Sequence, residues 1–352
     1  METPHDGYYR LGIRSHAKGT FHSYVEKGHE LETAQMYRVA AGNFIVNITF
    51  GWEHAVAITN ESDAGKLVSH RFPQYSFHDD MLPEFFKYVI ADEDFRHWLW
   101  LASPGGAGRN RVLKLDEMLN YEMVLPSKEE QQRIAAIFCN LDTLITLHQR
   151  KYEKLVNIKK SMLDKMFPQN GASVPEIRFK GFTDPWEQRK LGDLCVEFRS
   201  GEFISASDIT ETGEYPVFGG NGLRGFTDRF NHDGEYTLIG RQGALCGNVN
   251  FAVGKSYFTE HAIAVRADKK NQTRFLYYLF STMDLGQYSG QSAQPGLAVG
   301  NLVELKSTLP DKQEQEKISG VLTALDTLIT LHQRKLEKLQ NIKKSCLEKM
   351  FV

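Results

Sequence analysis

Residues 141–167 read LDTLITLHQRKYEKLVNIKKSMLDKMF, and residues 325–351 read LDTLITLHQRKLEKLQNIKKSCLEKMF. Only four of these 27 positions differ, and the second segment follows the first at a constant offset of 184 residues. Solenoid repeats recur every ~20–50 residues, so this long spacing indicates a duplicated module instead of a solenoid. A duplicated module places two similar surfaces in a two-fold-like relationship.

Both copies carry the signals of a long α-helix. Ser127 is followed three residues later by Glu130, and Asp311 by Glu314, which is the pattern of a capping box. After these caps, apolar residues recur at alternating steps of three and four, as in a coiled-coil seam. We therefore expect two helices of about 40 residues that pair as an antiparallel coiled coil. The residues expected to pair are Ile134, Ile137, Leu141, Leu144, Leu155, Ile158, Ile318, Val321, Leu325, Leu328, Leu339 and Ile342.

The outer faces of the two helices are also nearly identical, which is more than the packing of a seam requires. Rows of charged residues on a helix are usually no more than a solvated face, and the helices could serve only as a spacer. We favour the hypothesis that these faces dock a partner protein. The docking candidates are Lys154, Asn157, Lys160, Lys338, Asn341 and Lys344.

The remainder of the chain consists of two globular regions, one before each helix. The first has strand-like runs at 43–50 and 55–59 and a helical pattern at 83–101, and the second has strand-like runs at 236–240 and 262–266. The predicted fold class is therefore mixed α/β (α+β). The predicted order is globular region 1–124, helical region 125–167, linker 168–185, globular region 186–308 and helical region 309–352.

Composition and motifs exclude several classes of function. The chain has no run of ~18 apolar residues that could span a membrane. Its four cysteines include no CxxC pair, which fits a reducing cytoplasm. No P-loop, HExxH or GxSxG motif occurs, so the sequence predicts neither a catalytic constellation nor a metal site. The stretch GNGLRG at 220–225 matches GxGxxG, but a turn-like segment follows it, so a glycine-rich turn is the better interpretation.

Loops in which arginine and amide side chains stand among glycines are the remaining candidates for binding. Arginine can read guanine through two hydrogen bonds, and asparagine or glutamine can read adenine. A net charge of −2 argues weakly against a general nucleic-acid binder, although a neutral total can hide a local basic face. For any one residue, an ordinary surface role is as good an explanation. The candidates are Arg14, Ser15, His16, Lys18, Arg109, Asn110, Arg111, Asn221, Arg224, Arg241, Gln242 and Gln294.

Several segments together resemble the specificity (S) subunits of type I restriction–modification enzymes. The resemblance lies in PEIRFKGFTDPWEQRKLGDL (175–194), LPSKEEQQRI and LPDKQEQEKI at the two helix starts, GRQGALCGNVN (240–250), YFTEHAIAV (257–265), SAQPGL (292–297), GIRSHAKGTF (12–21) and VNITFGWEHAVAI (46–58). The doubled helix makes the match specific.

The resemblance implies two target recognition domains, 1–124 and 186–308, separated by the helices. Each domain would read one half of a split double-stranded DNA sequence, and the chain itself would be non-catalytic. Two methyltransferase subunits and motor-nuclease subunits would be the partners and would carry S-adenosylmethionine, ATP and Mg²⁺. The resemblance further implies a cytoplasmic protein of a bacterium or archaeon that takes part in defence against phage.

One departure from the family pattern concerns the first globular region, which lacks a counterpart of PEIRFKGFTDPWEQRKLGDL. The expectation is a first recognition domain that is shortened at its N-terminus. An alternative is therefore a truncated scaffold that docks its partner but reads only a half-site. A stand-alone methyltransferase or nuclease is a third possibility, against which the missing motifs argue strongly.

Overall fold

The computed structural model describes residue 4 and residues 6–29, 35–105, 111–169, 171–243, 245–290 and 296–350. The chain divides into two compact units. Unit 1 contains residues 1–148 and 335–352, and unit 2 contains residues 149–334. Each unit thus combines one globular region with one half of each repeated helix.

The globular part of unit 1 consists of two small sheets and three short helices. The strands are β1 Tyr8–Ile13, β2 Thr20–Val25, β3 Met36–Arg38, β4 Phe44–Val46, β5 Val56–Ile58, β6 Leu67–Ser69 and β7 Gln74–Tyr75, and the helices are α1 Pro83–Val89, α2 Glu93–Leu101 and α3 Leu115–Leu119. The sheet orders are β2-β1-β6-β3 and β5-β4-β7. Leu11 of β1, Ile45 of β4 and Val68 of β6 are fully buried in one cluster that joins the two sheets.

The described part of unit 2 has three sheets, and a nine-residue helix lies on the four-stranded one. The first long helix, α4 Lys128–Met166, leads into strands β8 Glu187–Lys190, β9 Cys195–Ser200, β10 Tyr215–Gly219, β11 Gly222–Thr227, β12 Glu235–Gly240, β13 Val249–Val253, β14 Tyr257–Phe258 and β15 Ala262–Ala267. Then follow α5 Thr273–Ser281, α6 Val299–Glu304, β16 Lys306–Leu309 and the second long helix, α7 Lys312–Met350. The sheet orders are β13-β12-β15-β9, β11-β10-β14 and β16-β8. The mixed fold class predicted from the sequence is confirmed.

One of the two bonds of the capping box predicted at both long helices is present, the bond accepted by the N-cap side chain. The Glu130 backbone N–H donates to Ser127 Oγ at 3.3 Å, and the Glu314 N–H donates to Asp311 Oδ1 at 2.8 Å. Each helix then runs for 39 residues, close to the predicted length. No helix among the described residues is both long and apolar enough to cross a membrane.

Each unit buries the same stripe of the repeat. In unit 1, Ile134 and Phe138 of α4 are buried in a cluster that Leu347 of α7 also contacts. In unit 2, the equivalent Ile318 and Leu322 of α7 share a buried cluster with Leu163 of α4. Opposite ends of the two helices meet in each unit, as the predicted antiparallel pairing requires.

The predicted seam is wrong at five of its twelve positions. Ile134 and Ile318 are buried, and Leu141, Leu155, Ile158, Leu325 and Leu339 are half-buried. More than a third of each of the other side chains is exposed: Ile137, Leu144, Val321, Leu328 and Ile342. The buried stripe advances through 134, 138 and 141 because each helix half packs on its globular region as well as on the other helix. Ile137 and Leu144, which lie three positions after Ile134 and Leu141, therefore turn away from the core.

The predicted helix at 83–101 is two helices. α1 ends at Val89, and Asp92 begins a new helix by accepting a hydrogen bond from the Asp94 N–H at 2.9 Å. An aspartate in this position satisfies a free N–H of the first turn, so it starts α2 instead of continuing α1. The predicted strand at 43–50 is also shorter, since β4 ends at Val46.

Candidate nucleic-acid interface

The GNGLRG stretch of unit 2 forms a β-hairpin. β10 and β11 pair in antiparallel fashion up to Gly219 and Gly222, so the connection is the dipeptide Gly220-Asn221. A dinucleotide-binding turn would require a helix directly after this stretch. Strand β11 continues from it instead, and β12 comes next. The interpretation as a glycine-rich turn is confirmed.

Glycines allow this hairpin to contact the end of β12. A Cβ atom added to Gly240 would overlap the carbonyl oxygen of Gly220, and one added to Gly220 would lie 2.9 Å from the carbonyl oxygen of His261. Both distances are shorter than those that real Cβ atoms show. The two backbone segments can therefore contact each other only because these residues are glycines. The hairpin turn is thereby held against the loop after β12 and the turn before β15.

An open cleft of about 370 Å³ lies where these three segments meet. Its lining consists of Gly220, Asn221, Arg224, Gln242, Leu245 and His261. Three of these residues, Asn221, Arg224 and Gln242, are sequence-predicted candidates, and all three are exposed. The fold thus brings a guanidinium and two side-chain amides to one concave surface.

Hydrogen bonds fix the amide of Gln242 within the cleft. Its Oε1 lies 3.0 Å from His261 Nδ1, while His261 Nε2 lies 3.2 Å from Glu260 Oε1. The backbone of Gln242 also forms an antiparallel bridge with Gly296. The Gln242 side chain is therefore oriented before any ligand arrives. The guanidinium of Arg224 makes no hydrogen bond or ion pair within the described part of the chain and remains available.

His261 and Leu245 line the cleft but were not among the predicted site residues. His261 lies in YFTEHAIAV, which the sequence marks only as a strand motif. Its polar neighbours Thr259 and Glu260, at a break before an apolar strand, were the available signal. Glu260 Oε2 is buried and has no hydrogen-bond partner among the described residues. A buried carboxylate oxygen of this kind can accept a hydrogen bond from an amino group of a ligand.

Arg241, also a candidate, does not line the cleft. Its guanidinium lies 3.5 Å from the Glu260 carbonyl oxygen, and its own carbonyl accepts hydrogen bonds from the Leu297 N–H at 2.8 Å and the Cys246 thiol at 3.3 Å. Burial raises the pKa of Cys246, which keeps this thiol protonated as a donor. Arg241 and Cys246 therefore hold the loop. Arg109, Asn110 and Gln294 lie outside the described residues.

The candidates of unit 1 occupy the loop between β1 and β2 and a separate segment after α2. Ser15 Oγ donates to Glu53 Oε2 at 2.8 Å, and the exposed His16 adopts a left-handed φ of 61°. Arg14 stacks over Phe21 with 5.3 Å between the guanidinium carbon and the ring centroid. Lys18 is exposed. The loop therefore presents three basic side chains on a fixed backbone.

Arg111 has different neighbours from this loop. Its guanidinium stacks over Trp100 at 4.4 Å and donates to the Ser103 carbonyl at 3.4 Å. The docking candidates on the long helices have the exposure that docking requires, and docking itself stays a prediction: Lys154, Asn157, Lys160, Lys338, Asn341 and Lys344. Within the described ranges, no group of three or more His, Cys, Asp or Glu side chains could hold a metal ion.

Comparison with known proteins identifies the class of protein to which this chain belongs. The family model for the type I restriction modification DNA specificity domain matches residues 27–157 and 183–341. The chain therefore belongs to this family, and the predicted resemblance is confirmed.

Individual relatives agree with this assignment. Over 174 residues the chain is 42% identical to the EcoprrI type I restriction enzyme specificity subunit of Escherichia coli, covering 48% of this chain and 42% of that protein. Over 256 residues it is 24% identical to the MjaVIII specificity subunit of Methanocaldococcus jannaschii, covering 64% and 60%. The chain thus spans less than two thirds of the length of these relatives. Its fold is similar to the crystal structure of a type I restriction-modification S subunit from M. genitalium, with a TM-score of 0.67, 15% identity, and coverage of 100% and 98%.

Proposed function

We propose that this chain reads DNA sequence for a type I restriction–modification system, with one half of a split target bound by each unit. The observation that carries the proposal is the cleft of unit 2, where Asn221, Arg224 and Gln242 converge on a glycine hairpin. Arginine and side-chain amides recognise guanine and adenine in the major groove, each good pair being worth ~1–3 kcal/mol. The close backbone packing beneath the cleft supports precise placement of these groups.

Identical attachment of both recognition domains to the long helices supports a bipartite target. Gln131 Oε1 accepts a hydrogen bond from the Leu82 N–H at 2.9 Å, immediately before α1. At the equivalent position, Gln315 Oε1 accepts one from the Gln272 N–H at 3.0 Å, immediately before α5. Each domain is therefore fixed to its own helix end by the same bond. Fixed attachment is what a constant gap between half-sites needs.

The partner of these helices would be a methyltransferase subunit, bound once by each copy of the repeat. An exposed apolar stripe recurs at equivalent positions of the two helices: Ile137, Leu144 and Leu147 of α4, and Val321, Leu328 and Leu331 of α7. Exposed apolar surface that occurs twice in one sequence register favours two identical protein partners. The exposed lysines and asparagines predicted from the sequence would form the polar rim of each interface.

The chain would contribute no catalytic group of its own. The residues that line the cleft include no nucleophile paired with a base, and a DNA-reading role needs none. We propose that S-adenosylmethionine is bound by the methyltransferase partners, and ATP and Mg²⁺ by motor-nuclease subunits. The four free cysteines and a chromosomal DNA target favour the bacterial or archaeal cytoplasm as the site of action.

A genome-wide map of N6-methyladenine tests the proposal. The chain would be expressed with its cognate methyltransferase subunit in cells that lack other adenine methylation. The expected result is a split motif methylated on both strands, and the variant Arg224→Ala should relax the sequence requirement in one half only. Stable co-purification of the two subunits without any methylation would contradict the proposal.

The alternative of a half-site reader is tested by the same map. The candidates of unit 1 lie on two segments with different neighbours, whereas unit 2 collects three of its candidates in one cleft. A methylation motif with only one defined half, unaffected by Arg14→Ala, would establish the alternative.

A further inference from the structure

Unit 1 has an open cleft at the position where, in unit 2, a segment of the chain packs against the long helix. In unit 2, residues 175–190 cross the N-terminal part of α7 and end as β8. β8 pairs with β16 in antiparallel register, from Glu187 opposite Leu309 to Lys190 opposite Lys306. The four residues of β16 correspond by the offset of 184 to residues 122–125 of unit 1. Those residues belong to no strand.

A buried ion pair anchors the segment in unit 2. Arg178 Nε and Nη2 each donate to one carboxylate oxygen of Glu314 at 2.8 Å, and only 1% of the Glu314 side chain is exposed. The equivalent residue of unit 1 is Glu130, at the same position in the capping box. Glu130 is exposed, and its carboxylate has no ion pair within the part of unit 1 that the structure describes.

Aromatic contacts complete the attachment in unit 2. Trp186 is buried against Phe275, with ring centroids 6.0 Å apart, and Lys317 lies 4.9 Å above the ring of Phe182. The counterpart of Lys317 in the repeat is Arg133, which is exposed. Arg133 thus repeats the cation of Lys317, but no aromatic ring covers it within the described part of unit 1.

The corresponding surface of unit 1 is an open cleft of about 700 Å³. Apolar side chains such as Phe85, Ile134 and Met350 line it, together with residues 121–124 and the carboxylate residues Asp92, Asp94 and Glu130. The side chain of Val124 is 92% exposed, although its position in the repeat is that of a paired strand residue. Apolar side chains, the unpaired carboxylate of Glu130 and the extended segment 122–125 define what can fill the cleft.

We propose that this cleft binds an extended peptide segment with the chemistry of residues 175–190. Its arginine would form a bidentate pair with Glu130, its tryptophan would cover the apolar side chains beside Phe85, and its last residues would add a strand along 122–125. Strand addition supplies main-chain hydrogen bonds, and the arginine and aromatic residue supply selectivity. This proposal goes beyond DNA reading and does not depend on it.

The test uses the full chain and a fluorescent synthetic peptide, SVPEIRFKGFTDPWEQRKL, which is the sequence of residues 173–191. We expect saturable binding of one peptide per chain, together with slower hydrogen exchange at residues 122–125. Glu130→Gln should weaken binding about tenfold or more, because it removes the charge that the arginine meets. Glu129→Gln is the matched control, since the neighbouring Glu129 is equally exposed but does not line this cleft.

Three results would overturn the proposal. One is the absence of peptide binding to a folded chain, and another is binding that Glu130→Gln does not weaken. The third is a dimer of the chain alone that Glu130→Gln dissolves, because the cleft would then accept a second copy of this chain. A peptide in which the arginine is replaced by alanine should bind as weakly as the unaltered peptide binds the Glu130→Gln variant.

Discussion

Lys343 Nζ lies 2.6 Å from Asp142 Oδ1, and the repeat reproduces this pair with the helices exchanged. Lys159 Nζ lies 2.5 Å from Asp326 Oδ1, and each of these residues is 184 positions from its counterpart. In unit 1 the lysine comes from α7 and the aspartate from α4, whereas in unit 2 the roles are reversed. Two copies of one helix therefore supply each other with the same ion pair.

A tyrosine of each globular region completes the arrangement. Tyr88 Oη donates to Asp142 Oδ2 at 3.0 Å, and Tyr278 Oη donates to Asp326 Oδ2 at 2.8 Å. Burial, reinforced by the neighbouring aspartate, raises the pKa of both phenols, so that they remain protonated donors. Each aspartate thus joins the globular region of its own unit to both long helices.

Replacing either aspartate should loosen its own unit. Asp142→Ala leaves the buried Tyr88 hydroxyl without its acceptor, and we expect a loss of about 1–3 kcal/mol in the free energy of unfolding of unit 1. The part due to Lys343 should be small because both charged groups are about 30% exposed. Urea denaturation followed separately in each unit by hydrogen exchange measures the effect.

The repeat supplies the matched variant for this experiment. Asp326→Ala should destabilise unit 2 by a similar amount, and Asp164→Ala, an exposed position on α4, should change neither unit by more than ~0.5 kcal/mol. An unchanged unit 1 in Asp142→Ala would show that the tyrosine–aspartate bond contributes nothing to attachment.

Arg178 should be among the most costly charged residues to remove from unit 2. Arg178→Ala leaves the carboxylate of Glu314 buried and unpaired, a situation that typically costs ~3–5 kcal/mol. Arg178→Lys should recover only part of this loss, since an ammonium cannot make both parallel hydrogen bonds. The control is Arg189→Ala, whose pair with Glu187 is largely exposed and should matter by less than ~1 kcal/mol. Equal urea midpoints for the two alanine variants would refute this account.

In the cleft of unit 2 that we propose to read DNA, Arg224→Ala and Gln242→Ala should each reduce discrimination between target and altered half-site by about 1–3 kcal/mol. Binding to unrelated DNA should change much less. Arg229→Ala provides the control, because Arg229 pairs with Asp208 and does not line the cleft. Fluorescence anisotropy with target and mutated duplexes, in complex with the partner subunit, separates the two effects. Loss of affinity for all sequences alike would instead assign Arg224 to phosphate contact.

Acid should destabilise both units, beginning near the pKa of a free histidine. Burial lowers the pKa of His54 despite its hydrogen bond with the Ile90 carbonyl, and burial lowers that of His232 despite the adjacent Glu197. Burial alone would raise the pKa of Glu197, but hydrogen bonds from Arg199 and Tyr236 outweigh it and hold the value below its usual range.

The sign of the pH dependence is the same for all three groups. A folded-state pKa below the unfolded value means that the unfolded chain binds more protons, so stability is fully present above the unfolded pKa and falls on acidification. The histidine contribution should therefore decline below about pH 6.5, and that of Glu197 below about pH 4.3. Urea denaturation from pH 8 to 5 measures the histidine part of this slope, and extending it to pH 3.5 measures the part due to Glu197. His54→Asn should flatten it in unit 1, while the exposed His78→Asn should not.

The sequence was sufficient for features that depend on local pattern. The repeat, the two 39-residue helices and their caps at Ser127 and Asp311 are all encoded within a few neighbouring residues. The GNGLRG turn could be interpreted correctly for the same reason. Asp92 could in principle have indicated the break between α1 and α2, since aspartate is a preferred capping residue.

Other features depend on contacts between distant parts of the chain. Ile137 and Phe138 both fit an apolar helix pattern, and only the packing of α1 on α4 decides that Phe138 is the buried one. His261 reaches the cleft because β15 pairs with β12 so that Ala262 lies opposite Gly240. A single sequence does not specify that register.

The exposed stripe on the long helices gives the last prediction. Leu144→Asp combined with Leu328→Asp should lower the free energy of unfolding by only about 1–2 kcal/mol, because each side chain is 42% exposed and the main cost is helix propensity. The same variant should abolish co-purification with the methyltransferase subunit, since it places a charge in each proposed apolar interface.

A buried residue of α4 gives the opposite outcome and serves as the control. Phe138 is fully buried, so Phe138→Ala should cost ~3–5 kcal/mol of stability while leaving the exposed stripe intact. At a temperature where this variant is folded, it should still bind the partner. If the Leu144 and Leu328 double variant unfolds instead, the two leucines belong to the packed seam after all, and the partner surface must lie on another face of the helices.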